Sequence, residues 1–471
     1  MGIRERFEGK GEFDLTEGGI AKPLFYLSLP IVVTNLLQTA YNLADTFWLG
    51  QYSTNALAAI SFGFPMVFLL ISLGMGISVA GSVLVAQHVG ADEREDAEYA
   101  ASQTVTFAII TSLVLGAVGY AVVDDLLRLF GASPAVLPLA TAYMRVISVG
   151  LVFMFGFFMF ISLMRGAGDT ITPMLVMFGS VVLNIALDPF VIFGWGPFPE
   201  LGIMGAALAT IFTRGLAFVV GLAVMFSGAR GIQIHAGQLW PDLLFARRIL
   251  RIGGPASLEG VGRALSVNLL LLVVGLFATP VVAAFGIGTR VLSIVFMPAI
   301  AVARGVETMT GQNIGADQED RAAEANAFAA RWMFLILGAL GVVVWVFARP
   351  IVDVFTTSPA VVEEGVVFMR YVAPTFGLMG VMRAYNGGFR GAGKTLTAAV
   401  ISVGALGVVR LPIAWGAATT IGSRGIWLAF AISNTVGAVA AYAWFQRGTW
   451  READLTDDPR GPGPAGTSHD D

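Results

Sequence analysis

Long apolar runs dominate the chain, separated by short polar stretches. Each is about 20 residues or more, the length a helix needs to cross the hydrocarbon core of a bilayer. Twelve are placed, roughly over 24–49, 56–81, 100–123, 139–162, 171–194, 202–226, 249–275, 281–304, 326–348, 365–387, 396–418 and 425–446. The strict alternation of a membrane barrel strand is absent, so all twelve are predicted as helices. The pattern implies an all-α integral membrane protein.

The second half of this pattern repeats the first at a constant shift of 225 residues, the separation of Pro30 from Pro255. QHVGAD from Gln87 meets QNIGAD from Gln312, SPAV from Ser133 meets SPAV from Ser358, and RGAGDT from Arg165 meets RGAGKT from Arg390. One offset held over so many segments marks an internal duplication. Six helices per half give both halves the same orientation, so the prediction is two parallel six-helix repeats (6+6) related by a pseudo-twofold along the membrane normal. The expected organisation is a cytoplasmic segment over 1–22, an N-terminal lobe over 23–226, a cytoplasmic linker over 227–248, a C-terminal lobe over 249–446 and a disordered cytoplasmic tail over 447–471. A substrate then belongs at the interface between the lobes.

Composition narrows the function. Of 471 residues, 56% are hydrophobic and 13% charged, so the lipid bilayer is the main partner. A net charge of -4 supplies no basic field for nucleic acid. There is no cysteine, hence no disulfide framework and no thiol nucleophile. The three histidines are scattered, with His88 and His235 read into loops and His469 into the tail, which suggests neither a metal cluster nor an enzyme. No cleavable signal peptide is read at the start. Cations concentrate on one side: Arg4, Arg6, Lys10 and Lys22 before the first helix, Arg230, Arg247, Arg248 and Arg251 in the linker, then Arg390, Lys394, Arg447 and Arg451. Both termini are therefore expected in the cytoplasm, and the cell membrane as the location.

The run from Gly388 to Thr395 satisfies GxxxxGK[ST], the phosphate-cradling loop of nucleotide hydrolases. That loop needs a strand before its glycines, and here an apolar helix precedes them. Asp169 stands where the repeat puts Lys394, so one turn tolerates either charge. It reads as a helix-capping turn.

Ionisable residues within a membrane helix are costly and are candidates for function. Asp45 and Asp188 have Leu270 and Ile413 as repeat partners, and Asn184 has Val409, so these polar groups belong to one half alone. Asn35, Gln38, Asn42 and Asp45 recur at intervals of three and four on one face of the first helix, and Asn184 and Asp188 share a face of the fifth. Pro189 frees the carbonyl of Ile185. Tyr143 and Thr210 fall at compatible depth. Two nearby carboxylates in a low-dielectric site cannot readily both ionise, which suits proton coupling. The same oxygens at Asp45, Asn184, Asp188 and Thr210 suit sodium, and the spacing does not choose between the ions. Glu259 and Arg263, four apart, are expected to neutralise one another. Arg214, Arg290 and Arg410 have no nameable partner.

Pro30, NLADTFWLG from Asn42, VLVAQHVGA from Val83, RGAGDT from Arg165 and LNIALDPFVIFG from Leu183 appear in order within the repeat. On these the chain resembles the multidrug and toxic compound extrusion (MATE) transporters over its membrane region. The resemblance implies a secondary active antiporter exporting amphipathic, cationic organic compounds in exchange for protons or sodium. It needs no cofactor beyond that ion and is expected to be a monomer. It also implies that Asp45, Asn184 and Asp188, with Tyr143 and Thr210, form a coupling site in the N-terminal lobe. Asn35, Gln38 and Asn42 would face the substrate, and Pro30 and Pro189 would act as hinges. The absence of an acid in the tenth helix argues against a C-terminal cation site. The alternative is a flippase for lipid-linked precursors, whose cavity would favour cationic residues; the N-lobe pocket reads as acidic.

Overall fold

A computed structural model describes residues 15–451 and Leu455. Arg4, Arg6 and Lys10, and nearly all of the acidic tail with His469, lie outside the described residues. The N-terminal lobe comprises α1 (Ala21–Tyr52), α2 (Thr54–Gly90), α3 (Arg94–Leu129), α4 (Leu137–Val149), α5 (Leu151–Gly166), α6 (Ile171–Phe193) and α7 (Ile203–Ser227). The C-terminal lobe comprises α8 (Leu243–Val274), α9 (Thr279–Gly315), α10 (Glu319–Val346), α11 (Ala348–Asp353), α12 (Pro359–Val372), α13 (Phe376–Gly391), α14 (Thr395–Val403), α15 (Leu411–Ile421) and α16 (Ser423–Gln446). Eleven segments are long and apolar enough to cross a membrane, and the α4–α5 pair, bent by 55°, makes twelve. The predicted twelve-helix fold in two repeats is present.

Several departures from regular geometry recur at repeat-related places. The span predicted over 139–162 breaks at Gly150, against which Ile211 packs too closely for any side chain. Its counterpart tightens into a 3-10 turn over Ala373–Thr375, where Pro374 removes a backbone donor. The turns after α2 and α9 hold Asp92 and Asp317 at φ of 60° and 55°. Gly168 and Gly393 likewise share positive φ, at 92° and 72°. Strained conformations that recur at the 225-residue shift show that the duplication extends to the backbone.

The lobes are fastened by reciprocal contacts at the end carrying the described chain termini. Gln87 Nε2 donates to the carbonyl of Gly391 at 3.1 Å, and Gln312 Nε2 donates to that of Gly166 at 3.0 Å. Each glutamine thus bonds the opposite lobe at an equivalent residue. Gly90 and Gly315 permit the approach, since a Cβ on Gly90 would meet the Gln312 carbonyl and one on Gly315 the Gln87 carbonyl. Leu24 and Leu27 at the start of α1 join the apolar core of the C-terminal lobe. Their repeat partners Ile249 and Ile252 in α8 join the core of the N-terminal lobe.

The phosphate-loop match lies in the last turns of α13 and the turn beyond, after a helix rather than a strand. In the equivalent turn Asp169 Oδ1 accepts from the amides of Ile171 and Thr172 at 3.0 and 2.9 Å, a helix cap. Two loop assignments need correction. His88 lies in the last turn of α2, buried, with Nδ1 2.7 Å from Glu93 Oε2. With Asp96 these side chains put ligand atoms within 4.8 Å of one another, so the histidines are less isolated than their spacing suggests. Arg390 is not a loop cation but a buried one in α13.

Candidate functional site

α1 and α6 run side by side and bring the two aspartates together. Asp45 and Asp188 are both almost wholly buried, at 1% and 0% exposure. Their carboxyls are neighbours close enough for one to bond the other when it carries a proton. Asn184 Nδ2, one turn before Asp188, donates to Asp188 Oδ1 at 3.2 Å. Among the described residues no donor reaches Asp45 Oδ1, Asp188 Oδ2 or Asn184 Oδ1. A buried acceptor without a donor is costly, so three together form a pocket suited to a proton or a small hard cation.

Tyr143 from α4 is buried within electrostatic reach of both aspartates. Gly63 on α2 makes the space, for a Cβ there would meet the Tyr143 ring at 3.1 Å. Thr210 from α7 accepts a hydrogen bond from the hydroxyl of Tyr41 at 2.6 Å. Toward the C-terminal ends of α1 and α6, beyond the aspartates, Trp48, Phe193 and Trp195 form a ring cluster, with centroids 6.1 Å apart for Trp48–Phe193 and 5.9 Å for Phe193–Trp195.

Tyr41 and Arg214 complete this site and were not foreseen in it. Arg214, read as lacking a nameable partner, is buried in α7 with its guanidinium 4.5 Å from the Tyr41 ring centroid. Its Nη2 donates to Gln38 Oε1 at 2.8 Å. Tyr41 lies four residues before Asp45, a spacing that a strict search for acids and amides passes over.

The remaining polar residues of α1 divide. Gln38 Nε2 donates to Asn42 Oδ1 at 3.0 Å, and Asn42 faces outward from the lobe. Asn35 and Gln38 instead line a cavity of about 240 Å³ that extends between α1, α2, α5, α6 and α9. Gln38 therefore touches the cavity on one side and Arg214 on the other. Pro30 lies within α1, which continues through it; the Tyr26 carbonyl it leaves free accepts from Thr170 Oγ1 at 3.5 Å. Pro189 lies within α6 directly after Asp188.

Buried charges near the lobe interface pair differently from the expected arrangement. Glu259 accepts from Arg390 Nη2 at 2.5 Å and from Arg390 Nε at 3.2 Å, a two-pronged ion pair from α8 to α13 rather than the pair with Arg263. Spacing of four along one helix could not show that a second arginine arrives from another. Glu307 binds Arg304 Nη1 at 2.7 Å, with Arg165 Nη2 at 4.0 Å from its other oxygen. Arg410, repeat partner of Ile185, lies in a π-helical segment and donates to Ser433 Oγ and Asn434 Oδ1, both at 2.8 Å. The C-terminal lobe thus buries a guanidinium within a turn of Val409 and Ile413, the repeat partners of Asn184 and Asp188.

A twelve-span bundle of two parallel repeats, with buried ionisable groups and a cavity reaching the lobe interface, is the architecture of a secondary transporter. The MatE family model matches residues 30–190 and 255–416, and the chain belongs to that family. It is 29% identical over 448 residues to the probable multidrug resistance protein YpnP of Bacillus subtilis, covering 94% of this chain and 98% of that one. It is 28% identical over 440 residues to an FAD transporter of Shewanella oneidensis, covering 93% and 97%. A crystal structure of MATE in the bent conformation superposes with a TM-score of 0.87 at 25% identity, covering 94% of this chain and 98% of that one.

Proposed function

We propose that the protein is a secondary active antiporter that exports amphipathic organic compounds in exchange for a proton or a sodium ion bound at Asp45 and Asp188. The observation that carries this is the convergence of two buried carboxyls with Asn184 in one lobe only, three of their oxygens lacking donors among the described residues. Two negative charges at this spacing repel strongly out of water, and an arriving proton or cation removes the repulsion. Thr210 is a further oxygen for such an ion, with Tyr143 and the Tyr41–Arg214 pair shaping the pocket. A change in charge at Asp45 reaches the inter-lobe cavity through one helix, α1, and through Gln38. A cargo that prefers the ion-free lobe must be released when the ion binds, because linkage is reciprocal. Pro30 and Pro189 are the points at which α1 and α6 would bend. The protein works as a monomer in the cell membrane with both termini in the cytoplasm.

The antiport reading is tested in proteoliposomes with imposed proton or sodium gradients, using cationic, neutral and anionic amphipathic fluorophores as probes. One gradient should drive at least one probe, and its affinity in detergent should fall as that ion's concentration rises. Asp45→Asn should flatten the dependence. Binding that ignores both pH and sodium in the wild type would defeat the mechanism.

A second reading, a flippase for lipid-linked precursors, is favoured by one observation: Arg165 and Arg304 line the cavity. The cationic cargo implied by family resemblance meets acids in the N-terminal lobe but not along that cavity.

A further inference from the structure

The geometry points to a binding subsite for an anionic group, a phosphate or carboxylate on an amphipathic molecule, at Arg165 and Arg304 in the inter-lobe cavity. The proposal deepens the antiport reading by naming the cargo's charged end. Neither arginine belongs to the ion pocket around Asp45.

Arg165 projects from the end of α5 and is only 7% exposed, yet it lines the cavity. Its Nε has no hydrogen-bond partner among the described residues. Its Nη2 reaches only Ser162 Oγ at 3.2 Å and Glu307 at 4.0 Å, the second too long for a hydrogen bond. A guanidinium buried this deeply ordinarily has its donors filled, because an uncompensated buried charge is costly. Arg304, from the facing lobe, spends Nη1 on Glu307 and lines the same cavity. Among the described residues no acid lines the cavity.

The wider interface is cationic as well. Its two glutamates, Glu259 and Glu307, are each matched by one close arginine, Arg390 and Arg304. Arg165, Arg263 and Arg383 remain in excess, the last with an Nε that has no partner among the described residues. Arg165 lies near enough to Arg304 and Arg390 to feel their charge, and Arg263 and Arg383 lie near enough to feel the same two. Of these only Arg165 and Arg304 line the cavity; two mutually repelling cations there are stabilised by an anion between them, and the planar fork of arginine matches phosphate or carboxylate oxygens two at a time. The volume of about 240 Å³ lies just below the ~300–1,000 Å³ of ordinary small-molecule sites, which gives room for a head group and the start of a chain. The lining supplies that chain with Ile31, Met75, Phe158 and Ile300.

The test compares octyl phosphate with octyltrimethylammonium, equal in chain and opposite in charge, by calorimetric titration of the full chain in nanodiscs. Octyl phosphate should bind at least about tenfold more tightly, with the margin shrinking at high salt. Arg165→Gln and Arg304→Gln should each remove most of that preference, and Arg165→Lys should retain part of it. Size exclusion and thermal melting check that each variant is folded; if Arg165→Gln is not, the half-buried Arg304 decides. Equal affinity for the two probes, or a preference that survives Arg304→Gln and folded Arg165→Gln unchanged, overturns the subsite. In vesicles, farnesyl phosphate that displaces octyl phosphate and changes leaflet identifies a lipid head group as the source. Octyl phosphate carried across without farnesyl phosphate identifies a free amphipathic anion. Anion selectivity without response to any ion gradient supports the subsite while refuting antiport. Gradient-driven movement of the ammonium probe, with no anion preference, does the reverse.

Discussion

Replacing Gln312 by alanine removes the hydrogen bond from its side chain to the buried Gly166 carbonyl, one of the two reciprocal bonds that hold the lobes together at the terminal end. A side-chain bond to backbone contributes about 1 kcal/mol net, so Gln312→Ala should raise the ratio of separated to joined lobes about fivefold. Removing Gln87 as well, with its bond to Gly391, should bring the change to roughly 25-fold if the two bonds act independently. The chain has no cysteine, so Glu95→Cys and Glu324→Cys, both on exposed helical positions at this end, can be spin-labelled without background. Double electron–electron resonance then reads the lobe separation as a distance distribution. The separated population should grow in the order wild type, Gln312→Ala, double variant. An unchanged distribution in a folded double variant would refute the latch, and the energetic argument with it.

Three further outcomes follow from charged side chains. Asp45→Asn and Asp188→Asn should each abolish gradient-driven export while the protein still inserts; full drug resistance from both variants in a sensitive host would show the site misassigned. Glu259→Gln strands the Arg390 guanidinium in the core and should cost about 3–5 kcal/mol, seen as a lowered melting temperature, with Arg263→Gln costing much less; the opposite order would contradict the observed pairing. Lys394→Ala should leave transport unchanged, and the purified protein should hydrolyse neither ATP nor GTP; hydrolysis lost in this variant would revive the phosphate-loop reading.

The fold was legible in the sequence because a bilayer allows few solutions: apolar length gives the spans, and a fixed shift gives the repeat. Asp45, Asn184 and Asp188 stood out for a similar reason, since acids and amides are rare in apolar helices and these lack counterparts in the other half. Tyr41 and Arg214 did not stand out. A tyrosine four residues before an acid looks like any aromatic position, and the arginine's partners Gln38 and Tyr41 lie on another helix, α1, reachable only in three dimensions. Glu259 was visible as a buried charge, but its partner was misread, because helical spacing identifies neighbours on one helix and says nothing of Arg390 arriving from α13. Arg165 and Arg390 were visible as members of matching RGAG turns, and that match drew attention to the glycines instead of to the side chains.

The exchange of first turns between lobes has a mechanical consequence. Leu24 and Leu27 are seated in the C-terminal lobe, and Ile249 and Ile252 in the N-terminal lobe, so each half holds the other by the root of its first helix. Two bodies hooked in this way cannot drift apart as a pair of free halves. Parting them at this end must either pull those leucines and isoleucines from their sockets or flex the shanks of the two hooks. Pro30 and Pro255 lie three residues beyond Leu27 and Ile252, where a helix already lacks one of its own bonds and yields most easily. The duplication therefore supplies matched elbows on opposite arms, and movement about one of them loads the other.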